Sequence, residues 1–244
     1  MIKFHTTNIL APIMLSAVFV LTPLRADERG KLIFEDNFDR NESQETKDDI
    51  GNGWGTNSKS RAAGNKQVDL RDGAMYIYIH EAADHAVSLT HAAEFQNGSV
   101  ELRFMLEDPK DTLGLDFADL QCKTVHAGHL FKVTVGNNKL DISDLKTGNM
   151  DLEIYNAKKE KTLTPAMEER MKVTKKVFPA KLETGRWYTM NVTNSGDKVN
   201  VTIDGKQVGT FSSEGFAHPT KRMLRLSVPK QAVVDDVKIF AAGS

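Results

Sequence analysis

The 244-residue sequence predicts an all-β fold, two antiparallel sheets packed as a sandwich with one short inserted helix. Three observations carry that prediction. The stretch 185–211 writes three successive strands with their turns: Trp187 and Val192 anchor the first, Val199, Val201 and Ile203 line one face of the second, and Val208 and Phe211 serve the third. Asn194-Ser195-Gly196-Asp197 supplies residues that tolerate positive φ, and Asp204-Gly205 is a signal for a two-residue type I′ hairpin, whose twist suits its flanking strands. Elsewhere, short runs of period two recur between turn residues, a spacing that favours a sandwich over βαβ units.

Taken in order, 31–38 opens the fold as a strand. The polar stretch 42–63, with Gly51, Gly53 and Gly55, reads as a long loop. The strand 67–71 runs through Asp72-Gly73 into 74–80, a second hairpin of the same type. Further strands are expected at 86–90, 98–106, 113–120, 129–135, 139–145, 151–155, 223–228 and 233–240. The exception is 157–177. There Thr164-Pro165 offers a hydroxyl cap and a first-turn proline, Glu168 and Glu169 follow early, and Lys172, Lys175 and Lys176 come late, so a helix is expected between strands.

The first 26 residues read as a secretory signal peptide: Lys3, an apolar run from Ile9 to Leu24, then Leu24-Arg25-Ala26 before Asp27-Glu28. The run falls short of a spanning helix and contains Pro12 and Pro23. The mature chain, 27–244, is therefore expected as one domain in the periplasm or outside the cell, with no stable membrane insertion. Of 32 basic residues, losing Lys3 and Arg25 leaves 30 against 33 acidic ones, a balance that gives nucleic acid nothing to grip. Cys122 is the only cysteine, so no intrachain disulfide forms, and its position after the apolar run 113–120 marks it as a small buried hydrophobe.

With the meander in view, a resemblance emerges. Gly185-x-Trp187-Tyr188 leading to Val201-x-Ile203-Asp204-Gly205-x-x-Val208 resembles the concanavalin A-like lectin/glucanase (laminin G-like) signature, as do Phe34-Glu35-Asp36-Asn37-Phe38-Asp39-Arg40 with Gly53-Trp54 at one end and Val234-Asp235-Asp236-Val237-Lys238-Ile239 at the other. The resemblance implies a jelly roll with one sheet bent into a concave groove for polysaccharide. Within it, exported bacterial 3-keto-disaccharide hydrolase-like and family 16 glycoside hydrolase-like domains are similar in length and ends. A retaining glycosidase needs two carboxyl groups about 5–5.5 Å apart; the Glu-x-Asp-x-x-Glu or Glu-x-Asp-x-Glu strand of family 16 is absent here, and the Asn-Ser-Gly of the keto-disaccharide group falls only in the 194–196 turn.

Candidate residues follow from pattern. Tyr76, Tyr78 and His80 alternate with Met75, Ile77 and Ile79, giving a strand with one apolar face and one aromatic, polar face suited to a sugar ring. Arg103, His218 and Lys221 extend that substrate-binding set. Glu101, Asp116, Asp119, His126 and His129 are the acid and base candidates. A hairpin turn at Ala127-Gly128 would make His126 and His129 cross-strand neighbours, able to share a transition metal with Asp116 or Asp119. Asp36 and Asp39 at the first strand, with Asp235 and Asp236 at the last, form a candidate structural calcium site, since the resemblance brings those strands together. The function expected is glycan recognition, with or without hydrolase or lyase chemistry. A non-catalytic carbohydrate-binding module and a structural envelope or matrix domain are the alternatives.

Overall fold

The structure is a computed structural model describing residue 1 and residues 30–243. The expected signal peptide therefore lies, Met1 aside, outside the described residues. In chain order the strands are β1 (Lys31–Asp36), β2 (Gly55–Thr56), β3 (Val68–Arg71), β4 (Ala74–Tyr78), β5 (Val87–Phe95), β6 (Gly98–Met105), β7 (Thr112–Ala118), β8 (His129–Gly136), β9 (Lys139–Asp144), β10 (Lys175–Pro179), β11 (Tyr188–Ser195), β12 (Lys198–Ile203), β13 (Lys206–Ser212), β14 (Lys221–Val228) and β15 (Gln231–Ala241). Helices α1 (Ser58–Arg61), α2 (Leu152–Glu160) and α3 (Pro165–Val173) complete the set.

These strands form two antiparallel sheets. The first runs β13-β12-β11-β6-β15-β4-β3, with β1 also on β15; the second runs β10-β9-β8-β7-β14-β5-β2. Their apolar faces make one core, to which the first sheet gives Leu102, Phe104 and Ile239 and the second gives Phe117, Phe131 and Leu226. Each such side chain contributes roughly 1.5–3 kcal/mol by leaving water, which for a chain without a disulfide is the main source of stability. The predicted hairpins close as expected: Asp72 and Gly73 have φ of 54° and 69°, and Asp204 and Gly205 have 48° and 74°, the left-handed pair a type I′ turn requires. Cys122 is half-buried against the core.

Two expectations change. Segment 151–155 is not a strand, because the Asp151 carboxylate accepts hydrogen bonds from the backbone N–H groups of Glu153 and Ile154 (3.1 and 3.4 Å) and so caps α2. Its polar-apolar alternation misleads; Ile154 and Ala157, three residues apart, are the buried positions. The single helix expected over 157–177 is instead the end of α2, then α3 capped by Thr164 with Pro165 in its first turn, then edge strand β10. The 42–63 loop is pinned rather than free. Asp48 accepts from the Gln67 and Val68 amides at 2.7 and 3.0 Å, and Thr56 donates to it at 2.6 Å.

Candidate functional site

Strand β7 is buried on both sides. Leu113, Leu115 and Phe117 enter the core, while Gly114, Asp116 and Ala118 alternate with them and are also buried, so the outer face of the second sheet is recessed along this strand. Antiparallel register then sets a row of opposed residues across that face: Ser143 on β9, Lys132 on β8, Asp116 on β7, Arg225 on β14 and Thr90 on β5. Opposite charges thus face each other across neighbouring strands, the favourable arrangement for a cross-strand pair.

Asp116 is the centre of the row. Its Oδ2 accepts a hydrogen bond from His129 Nδ1 at 2.6 Å, and its Oδ1 is buried without a hydrogen-bond partner, 3.8 Å from Arg225 Nη1. Arg225 in turn donates through Nη2 to the Ala127 carbonyl at 2.8 Å. An aspartate on Nδ1 favours the tautomer with the proton there and the lone pair on Nε2, and Arg225 Nη1 lies 3.1 Å from Nδ1 and 3.4 Å from Nε2 of the same ring. Beside it, the His126 ring stacks on Tyr155 of α2 (centroids 3.8 Å apart, planes 8° apart) and lies 6.5 Å from the His129 ring. Burial, followed by the neighbouring His129, Arg225 and Lys159, pulls the His126 pKa below its usual value.

A second Asp-His-Arg set sits just past the end of β7. Asp119 accepts from Arg222 Nη1 at 2.7 Å, from His218 Nε2 at 3.1 Å and from the Gln121 amide at 2.8 Å. Burial alone would raise its pKa; the Gln121 amide, His218 and Arg222 outweigh burial and leave it lowered. Lys221, expected to touch substrate, is instead completely buried and donates to the carbonyls of Gln96 (2.6 Å) and His218 (2.9 Å). It is an internal strut holding the His218 loop.

The expected substrate-binding and catalytic sets are therefore divided between the two sheets: His218 meets Asp119, whereas the tyrosines lie apart from Asp116 and His129. Tyr76 and Tyr78 on β4, and Glu101 and Arg103 on β6, belong to the first sheet, whose outer face points away from Asp116 and His129. There Arg71 lies 3.9 Å from the centre of the Tyr76 ring, and Arg103 stacks over Trp187 at 4.7 Å and pairs with Asp235 at 2.9 Å. His80, beyond β4, accepts from the Ala82 amide at its Nδ1. Sequence reasoning missed Lys132, Arg225, Gly114, Ser227 and Tyr155. The first two were readable as outward positions between apolar neighbours, but only strand register shows that they flank Asp116.

Neither expected metal site assembles. The Ala127-Gly128 turn forms, with φ of 50° and 74° and the His129 amide closing on the His126 carbonyl, but the chain before it bridges from Val125 to Asp151, so His126 stacks on Tyr155 of the insertion rather than facing β7, and His129 Nδ1 is already engaged by Asp116. At the calcium candidate, Asp36 is taken up by Arg40 (2.6 and 2.9 Å), Trp54 Nε1 (2.9 Å) and the Phe38 amide (2.9 Å). Asp235 is engaged by Arg103 and by the Asp236 amide. Asp39 joins no metal-spaced group. Among the described residues the carboxylates with metal-ligand spacing are Glu42, Glu45 and Asp69. Lys66 Nζ lies 2.7, 3.2 and 2.9 Å from them and already sits as a cation among the three carboxylates.

No family model matches the chain, and no curated protein matches it in sequence. Solved structures do match its fold. A laminarinase from Rhodothermus marinus is 13% identical with a TM-score of 0.57, over 88% of this chain and 98% of that one. A laminarinase from Flavobacterium sp. UMI-01 is 14% identical with a TM-score of 0.55, over 86% and 100%. A non-specific endo-β-1,3(4)-glucanase of family GH16 is 14% identical with a TM-score of 0.57, over 89% and 93%. The chain shares with them the two-sheet concanavalin A-like jelly roll that its sequence resembles.

Proposed function

We propose that the chain is an exported carbohydrate-active protein that recognises a saccharide on the outer face of its second sheet. The observation that carries this is the Asp116-His129-Arg225 set, a buried carboxylate, an oriented imidazole and a guanidinium on a recessed sheet face. The fold shared with β-glucanases supports the same reading. Binding is the primary role. On β7 Asp116 stands between Gly114 and Ala118, so this strand supplies one outward carboxylate where the two-carboxylate mechanism needs a pair. The Asp116-His129 contact favours turnover as a second reading, in which His129 Nε2 moves the proton and Arg225 steadies developing negative charge.

The purified protein, offered a glycan panel, is expected to retain at least one glycan, and His129→Gln and Asp116→Asn to weaken retention. If wild type also releases reducing ends or unsaturated products, His129→Gln should slow release by about 10²–10⁴-fold, the usual contribution of a general base. A folded protein that retains no glycan refutes the proposal. A processed N-terminus at Asp27 is the outcome expected from export.

A further inference from the structure

The outer face of the second sheet carries a partly buried cation that forms no ion pair among the described residues. This is Lys132, which makes one hydrogen bond, from Nζ to Ser227 Oγ at 3.0 Å. It reaches that partner by lying across Gly114, where any Cβ would overlap Lys132 Cε. The two nearby acids are occupied. Asp116 holds His129, and Asp141 holds Lys175 at 2.5 Å and Ser143 at 2.7 Å. Burial pulls the Lys132 pKa down although Asp116 and Asp141 act to raise it. An ammonium removed from water with donors left over is costly unless an anion meets it.

Arg225 stands across the same carboxylate, its Nη1 3.8 Å from Asp116 Oδ1 and 3.1 Å from His129 Nδ1, its Nη2 on the Ala127 carbonyl, so part of its five-donor fork is left for a ligand. Two cations thus flank one acid that already serves a histidine. Around them the outward positions are small or polar: Gly114, Ser227, Ser88, Thr90 and Thr134. Such a floor leaves room for a ring with hydroxyls and places the charge of Lys132 beneath it.

We infer that the saccharide bound on this face is acidic, carrying a carboxylate or sulfate group that is held by Lys132 and Arg225. The inference rests on the proposed glycan-binding role of the same face and adds its substrate class. Charge-assisted hydrogen bonds from both side chains to one anionic group give about ten-fold or more per bond over a neutral sugar.

The test titrates the full mature chain with three probes of equal length: an oligogalacturonate, a sulfated gluco-oligosaccharide and the unsulfated gluco-oligosaccharide. One acidic probe is expected to bind at least about ten-fold more tightly than the neutral one, with affinity falling as salt rises, and whichever binds identifies the anionic group. Lys132→Met should abolish that preference and Lys132→Arg should keep most of it. Lys198→Met, at an exposed position on β12 of the other sheet, should leave it intact and so separates this site from general attraction to polyanions. If Lys132→Met does not melt cooperatively, Gly114→Ala displaces the same ammonium and gives the same reading. Equal binding of the neutral probe, or an unchanged preference in Lys132→Met, overturns the acidic class while leaving glycan recognition standing. No binding of any probe overturns both.

Discussion

Lys221 yields the sharpest quantitative expectation. It is completely buried, its ammonium rests on two backbone carbonyls, and burial, followed by the charge of Lys146, lowers its pKa from 10.5 to about 8. Because the folded pKa lies below the unfolded one, the unfolded chain holds its proton more tightly, and stability rises as pH climbs from about 8 towards 10.5. At 1.36 kcal/mol per unit, the shift makes charged Lys221 cost about 3 kcal/mol at neutral pH, and about 2 kcal/mol of that is relieved by about pH 9.5. Lys221→Met removes the charge but strips the Gln96 and His218 carbonyls of their partner, a loss of about 1–3 kcal/mol each, so the two effects largely offset at pH 7. The pH dependence is the cleaner signal. In urea unfolding at pH 7 and about pH 9.5, wild type should gain about 2 kcal/mol on Lys221→Met. Parallel profiles for the two proteins would refute the assignment of an unpaired buried charge.

Three further outcomes follow. Asp144 accepts from the Thr147 amide and hydroxyl, the Ser213 hydroxyl and the Gly215 amide, joining β9 to the turn before β14; Asp144→Ala should cost about 3 kcal/mol or more by chemical denaturation. The double variant Tyr76→Ala, Tyr78→Ala, on the first sheet, should leave glycan retention within two-fold of wild type, roughly the scatter expected of a change with no contact at the site; loss of retention in a folded variant would move the site to that sheet. Gly205→Ala should lower stability by about 1 kcal/mol, since φ of 74° strains any side chain, and an unchanged Tm would speak against the type I′ turn.

The fold was legible because its signals are local. Period-two runs gave the strands within a few residues, and Asp72-Gly73 and Asp204-Gly205 gave their hairpins. Segment 151–155 misled because alternation over five residues fits a strand and an amphipathic helix alike, and the deciding feature is one cap, Asp151. The site was legible only in part. Asp116 and His129 could be picked by residue type, but Tyr76, Tyr78 and Arg103, joined to them, lie on the other sheet. A sequence shows which face of a strand a residue occupies and not which strand lies beside it. Arg225 is 109 positions from Asp116 and directly opposite it. Lys221 deceived for a different reason: lysine is so seldom buried that residue type alone places it at a surface.

Lys132 lying across Gly114 makes the two positions a matched pair. Any side chain at 114 would evict the lysine, and without the lysine nothing requires glycine at 114. In chains related to this one, the two residues should therefore be kept or lost together. Glycine two places before an aspartate, with lysine opposite that aspartate on the next strand, is a mark by which other bearers of this face can be recognised from sequence.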